Sequence, residues 1–228
     1  MNLFSDDHHR FRGSFTALKS EMEEAVTIQP LSLLFTGHMV DLPDRQVPRF
    51  PPQIVDAVQA EIAKRISYHV GTHDKNDVKG FASLARGSDI LFHETCREFG
   101  IGTTVVLPFA PNEFLRTSVA GAEGSNWPQR FTRIWETTPP GERCMLDLPI
   151  SDAAYADCND RMLTLSRAHG AVQFIAVWDG TGGDGPGGTA HFLACAKQVS
   201  GREPDIIDPK SFLSSQLQNC TSALNYRV

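Results

Sequence analysis

The sequence predicts a Rossmann-like α/β domain, a parallel sheet with helices on both faces in three layers. Three short apolar runs carry this reading: Leu31 to Thr36 (LSLLFT), Thr103 to Phe109 (TTVVLPF) and Ala171 to Trp178 (AVQFIAVW). A strand buried on both faces reads as a nearly continuous apolar run rather than an alternating one. Between the runs, apolar residues recur at helical spacing, and strand–helix–strand order implies crossovers that cover both sides of a parallel sheet. Residues 30–209 are expected to form this domain, behind an N-terminal extension (1–29) and ahead of a C-terminal tail (210–228).

In chain order, Phe15, Leu18, Met22 and Val26 predict an amphipathic helix over 14–26. The first strand ends at Gly37, and a polar loop with four prolines runs through Pro52. Pro51-Pro52 can open a helix, because the first turn has no internal N–H bonds to lose; Ile54, Val55, Val58, Ile62 and Ile66 supply its apolar face, and it ends before Gly71. Residues 69–79 (HVGTHDKNDVK) read as an aperiodic loop leading to Gly80-Phe81-Ala82-Ser83 and a helix over about 84–99, buried through Leu84, Ile90, Leu91 and Cys96. The second strand stops at Pro108 and Pro111. A helix through Trp127 to Trp135, a short strand from Cys144 to Leu148, a helix from Asp152 to His169 and the third apolar strand follow. The Gly-rich stretch 180–188 then opens a helix, and Pro204 to Asp208 forms a last strand.

With 27 acidic against 21 basic residues the net charge is −6, which disfavours a nucleic-acid partner. No run approaches the ~18 apolar residues of a membrane helix, and Met1 to Arg12 lacks the apolar core of a signal peptide or anchor. The five cysteines (Cys96, Cys144, Cys158, Cys195, Cys220) are odd in number, scattered and without a CxxC pair, as expected of reduced thiols in the cytosol. No metal or cofactor is expected: His69 and His73 flank Gly71 in a loop and read as a solvated pair, and no HExxH motif occurs. Nor does a GxSxG elbow.

Ligands of open parallel sheets sit beyond the C-terminal strand ends, where the strand order reverses. This directs attention to Gly37 onward, Pro108 onward and Asp179 onward, and the residues that could carry chemistry fall mainly in three segments. In Asp179 to Thr189 (DGTGGDGPGGT), Gly180, Gly182 and Gly185 match GxGxxG with Asp205 twenty residues on, but only twenty residues follow Asp208, too few for the strands of a dinucleotide half. No Gly-Lys-Ser/Thr follows, so it is not a Walker A loop. Gly185, Gly187, Gly188 and Thr189 are left as a phosphate nest ahead of a helix N-terminus, or as a surface turn. In Thr36 to Asp41, Gly37 lets the chain turn beneath a ligand, with His38 and Asp41 in reach of sugar hydroxyls or a base; a structural His38 is the alternative. Arg45 and Arg49 offer forked donors for phosphate, or are solvated. In Gly80 to Glu94, small residues allow close approach, Ser83 is a candidate N-cap with a free hydroxyl, and Glu94 is the carboxylate of interest, against the ordinary fate of an exposed helical Glu. A base could lie against Met39 or Phe109, the latter beside Pro108.

Together these segments resemble the SLOG superfamily, the Rossmann-like group uniting Smf/DprA DNA-processing proteins with the Lonely Guy phosphoribohydrolases. The nearest pattern is a bacterial branch with the start GHM(I/V)DxPxRxxPRFP, here Gly37 to Pro51. Gly80 to Phe92, Val106 to Phe109, Phe114 to Val119, Ala176 to Gly180 and Gly185 to Ala190 continue the similarity over about residues 30–208.

The resemblance implies a sensor of a nucleotide-derived ligand (ADP-ribose-like, cyclic nucleotide or nucleoside phosphate) in bacterial signalling or conflict systems. An effector domain or protein would be its partner, and a dimer or other homo-oligomer its state. The phosphoribohydrolases carry Pro-Gly-Gly-x-Gly-Thr-x-x-Glu; here Pro186-Gly187-Gly188-Thr189 lacks the inserted x-Gly, and Phe192 stands three past Thr189. Glu94, or else Asp41 or Asp89, would have to replace the lost carboxylate, and Arg161 would match the arginine preceding the hydrolase loop. Sensing with weak or absent turnover is the expectation. The alternatives are an N-glycosidic hydrolase and an interaction module using Phe212, Leu213 and Leu217.

Overall fold

The computed structural model describes residues 29–122, 126–182, 185, 187–200 and 203–213. LSLLFTG forms the central strand β1 (Leu31–Gly37), with its first five residues buried. Around it stand β2 (Val78–Ala82), β3 (Gly102–Leu107), β4 (Arg143–Met145), β5 (Ala171–Val177) and β6 (Asp205–Ile207), every pair parallel. The order is β4-β3-β2-β1-β5-β6, so the chain builds outward from β1 on one side, then returns to its other side. The reversal falls between β1 and β5.

Alternate residues of β1 face opposite helical layers. Leu31, Leu33 and Phe35 pack with α1 (Val55–Val70), α2 (Ser88–Glu98) and α4 (Trp127–Thr137) through Ile62, Ile66, Ile90, Cys96 and Ile134. Leu34, with Phe81, Val106 and Phe174, packs with α5 (Asp152–His169) and α6 (Thr189–Ser200) through Met162, Leu163, Phe192 and Leu193. These are the three layers. A short α3 (Pro111–Phe114) runs on into a π-helical turn, Leu115–Val119.

Two expectations are corrected. Residues 78–82, read as loop and helix start, are an inner strand, and α2 begins only at Ser88. The reason is tertiary: Lys79 and Gly80 interrupt the apolar pattern, yet β2 pairs with β1 and β3 along its length, and a Cβ at Gly80 would lie 2.9 Å from the Phe92 ring and the Thr103 methyl. His69 is not solvated, since its Nε2 lies 2.7 Å from Asp205 Oδ2, while Arg65 reaches the other oxygen at 3.1 Å. Asp205 is thereby engaged at the start of β6 by His69 and Arg65. Phe212 and Leu213 pack against the core. The expected helix over 14–26 and Leu217 lie outside the described residues. Among the described residues, no helix is long and apolar enough to cross a membrane.

Candidate functional site

Beyond the C-terminal ends of β1 and β5 opens a cleft of about 260 Å³. The end of β1 supplies Phe35 to Met39, and the β2–α2 connection supplies Ser83, Ala85 and Asp89. Phe114, Thr117 and Ser118 enter from α3 and its π-helical turn. From α5 come Asp152, Tyr155, Cys158, Asn159 and Met162, and from the start of α6 come Gly187, Gly188 and Thr189.

Close packing beneath the cleft requires glycine at position 37. A Cβ there would stand 2.8 Å from Cβ of Val177 and closer still to the Ser88 hydroxyl. That hydroxyl donates to the His38 carbonyl at 2.8 Å, tying the head of α2 to the chain leaving β1. His38 continues β1 by donating its N–H to the Val177 carbonyl, and its ring Nε2 lies 2.9 Å from Asp179 Oδ1. Lys210 reaches the other Asp179 oxygen at 3.0 Å, and Thr181 donates to Oδ1 from its hydroxyl and its N–H. Burial alone would raise the Asp179 pKa; these hydrogen bonds outweigh it and hold the carboxyl well below the usual carboxylate range. His38 and Asp179 thus clamp the ends of β1 and β5.

Asp89 differs from every other carboxylate of the region. It sits in the first turn of α2 and is only 6% exposed. Its Oδ2 accepts from the Ala85 N–H at 3.2 Å, while no described residue donates to its buried Oδ1. Burial pushes its pKa up to about 7, against the lowering effect of the Ala85 bond. Behind it, His93 is fully enclosed, and burial pushes its pKa down to about 4, so the ring is neutral at physiological pH. Its Nε2–H donates to the Ser83 carbonyl and its Nδ1 accepts from the Thr103 hydroxyl, both at 2.9 Å, which fixes the loop carrying Ser83.

The remaining walls are hydroxyls, amide and apolar surface, with the exposed carboxylate Asp152 at the head of α5. Ser118 Oγ and Tyr155 OH lie 3.0 Å apart. Asn159 donates to the Gly187 carbonyl at 2.8 Å, holding the Gly-rich loop against α5. Cys158 donates to the Val106 carbonyl, and burial pushes its thiol pKa up, so no thiolate nucleophile is presented. No Lys or Arg lines the cleft among the described residues. Across Met39, which lines both, lies a second pocket of about 190 Å³ holding Arg45, Arg49 and Arg86. Asp41 orders that loop: Oδ2 accepts from the Arg49 and Phe50 N–H groups at 2.9 Å, and Oδ1 lies 3.2 Å from Arg45 Nε. Burial pulls the Arg86 guanidinium below its ordinary pKa, with Asp41 opposing.

Of the residues singled out from sequence, Gly37, His38, Met39, Ser83, Asp89, Gly187, Gly188 and Thr189 line the cleft; Asp41, Arg45 and Arg49 line the pocket beyond Met39. Gly80 lies inside β2, and Phe109 stands behind the wall, its ring 5.5 Å from that of Tyr155 and 5.9 Å from that of Phe114. Pro108 accepts from the Leu148 N–H, and Gly185 accepts from the Gly188 N–H; neither lines the cleft, nor does Asp179. Arg161 is exposed on α5 and is not among the lining residues. Glu94 is also outside the cleft, its carboxylate bound by Arg130 and, at 2.8 Å, by Arg133. Sequence reasoning missed the whole α5 wall. Asp152, Tyr155, Asn159 and Met162 share one helical face, a spacing visible in the sequence.

No family model matches the chain, and no curated protein matches it. Among solved structures it is similar to DNA processing protein A (DprA) from Streptococcus pneumoniae. That match has a TM-score of 0.37 and 10% identity, covering 80% of this chain and 60% of DprA. SuiB from Streptococcus suis bound to S-adenosylmethionine matches with a TM-score of 0.27 and 9% identity, over 80% of this chain and 40% of SuiB. A second SuiB structure gives 0.26 and 10%, over 41% of that chain. The chain thus spans less than two thirds of each of these proteins, and likenesses this distant carry no argument about its ligand.

Proposed function

We propose that the chain is a sensor domain binding a nucleotide-derived ligand: an ADP-ribose-like compound, a cyclic nucleotide or a nucleoside phosphate. The observation that carries this is the cleft at the β1–β5 reversal, where an α/β sheet holds its ligands, with glycine backbone and the start of α6 at its edge. Met39, Phe114, Tyr155 and Met162 offer apolar and aromatic surface to a base. The N-terminal dipole of α6 suits a phosphate beside the Gly187 and Thr189 backbone, the Gly188 N–H being held by the Gly185 carbonyl. At about 260 Å³ the cleft lies just below the roughly 300–1,000 Å³ usual for ligand pockets, so it suits one nucleoside unit. A longer ligand would continue past Met39 to Arg45, Arg49 and Arg86. The resemblance to the SLOG superfamily points the same way, toward bacterial signalling or conflict, a cytosolic setting, an effector partner and a homo-oligomer.

Sensing is preferred to hydrolysis because Phe192 occupies the position of the phosphoribohydrolase glutamate and is only 1% exposed in the core, while Glu94 is engaged by two arginines. An N-glycosidase needs a carboxylate within reach of the sugar, and with both of those positions lost only Asp89 and Asp152, among the described residues, line the cleft to supply it. Incubation with NAD, AMP and cytokinin-type nucleotides, followed by chromatography for free base, is expected to show none. Base release abolished by Asp89→Asn with binding retained would replace the sensor by a hydrolase.

A further inference from the structure

We propose that Asp89 is the specificity-determining residue of the cleft, accepting a hydrogen bond from an N–H or O–H donor on the nucleoside part of the ligand. The inference rests on the nucleotide reading above and adds to it which half of the ligand is recognised, and by what chemistry.

Three observations carry it. First, Asp89 lines the cleft, is 6% exposed, and has one oxygen bound to the Ala85 N–H while the other receives no hydrogen bond from any described residue. A buried polar group left in this way is costly, and natural proteins keep few of them outside functional sites. The carboxylate torsion is soft, so a small rotation presents the free oxygen to the cleft.

Second, Asp89 is the buried acid of the cleft without a full set of partners: Asp152, the other lining acid, is exposed to solvent, and the acids nearby are engaged. Asp41 is held by two N–H groups and Arg45, Asp179 by Thr181, His38 and Lys210, and Glu94 by Arg130 and Arg133. Asp89 stands apart from all three. Third, among the described residues no Lys or Arg lines the cleft to compensate the charge, and Asp152 lines it as well. An anionic phosphate is therefore disfavoured at the Asp89 end, whereas a neutral group with a polar hydrogen supplies the missing donor. The phosphate falls instead at the α6 end or across Met39. Two donors share this chemistry, the exocyclic amino group of the base and a ribose hydroxyl.

The test is calorimetric titration of the wild-type chain, Asp89→Asn and Asp89→Ala with AMP, ADP-ribose, purine riboside 5′-monophosphate, which lacks the 6-amino group, and the 2′- and 3′-deoxy forms of AMP. A circular dichroism melt first establishes that each variant is folded. At pH 8, where Asp89 is ionised, both substitutions are expected to weaken AMP binding by about tenfold or more, the loss of a hydrogen bond to a charged group. At least one donor-deleted analogue should bind the wild type as poorly as AMP binds Asp89→Ala, and the difference between that analogue and AMP should vanish in Asp89→Ala. The identity of that analogue assigns the donor to base or sugar. Unchanged AMP affinity in a folded Asp89→Ala, or equal wild-type affinity for AMP and all three analogues, would overturn the inference while leaving nucleotide binding intact. A folded wild type that binds neither AMP nor ADP-ribose would instead end the nucleotide reading itself.

Discussion

A carboxyl that holds its proton to about pH 7 when folded, against an ordinary value of 3.8, makes stability depend on pH with a definite sign. Between those two values the folded chain binds a proton at Asp89 that the unfolded chain has lost, so stability falls as pH rises. It levels off above pH 7, and the total is about 4 kcal/mol for values about three units apart. Asp89→Asn removes the ionisation, so it is expected to raise the melting temperature at pH 8 and leave it nearly unchanged at pH 4. Thermal melts at the two pH values check this; equal melting of variant and wild type at pH 8 would mean that the fold already compensates the charge. At the same scale, Gly37→Ala forces a methyl against Val177 and the Ser88 hydroxyl. It should cost about 1–3 kcal/mol in urea unfolding, the usual range for overpacking.

The elements meet the cleft through one clamp, the His38–Asp179 contact across the ends of β1 and β5, extended by Lys210 from the segment after β6. Because the Asp179 pKa is held below its unfolded value, its contribution is present above pH 4 and is lost as acid protonates it through its folded pKa. Asp179→Asn is expected to lower stability by about 1–3 kcal/mol at pH 7, with the difference from wild type narrowing toward strong acid; urea titrations across pH measure it. How much was legible from sequence also divides by element. β1, β3 and β5 announce themselves as continuous apolar runs, and the glycines after β1 and β5 mark where the strands end. β2 does not, because VKGFA is a strand through its two neighbours rather than through its own pattern. The α5 wall looks like any mixed polar helix face until the helix lies over the cleft. Glu94 is five residues past Asp89, about 140° around α2, so the carboxylate that drew attention points to the other side of the helix from the one that lines the site.

For the whole molecule, a net charge of −6 and a cleft without arginine or lysine among its described lining mean that an anionic ligand is drawn in locally rather than by the overall field. On the proposed reading, the guanidinium groups beyond Met39 are the source of that attraction. Arg45→Ala with Arg49→Ala is therefore expected to weaken ADP-ribose about tenfold while changing adenosine binding little, and to flatten the salt dependence of ADP-ribose affinity. Equal losses for the two ligands would place the phosphates elsewhere. The central claim, a nucleotide site at the β1–β5 reversal, is tested most directly by a residue-resolved amide NMR titration of the full chain with AMP. Saturable shifts are expected at Gly37, His38, Ser83, Asp89, Tyr155, Asn159 and Gly187 to Thr189; shifts confined to the surface around Glu94, Arg130 and Arg133, or none at all, would contradict it.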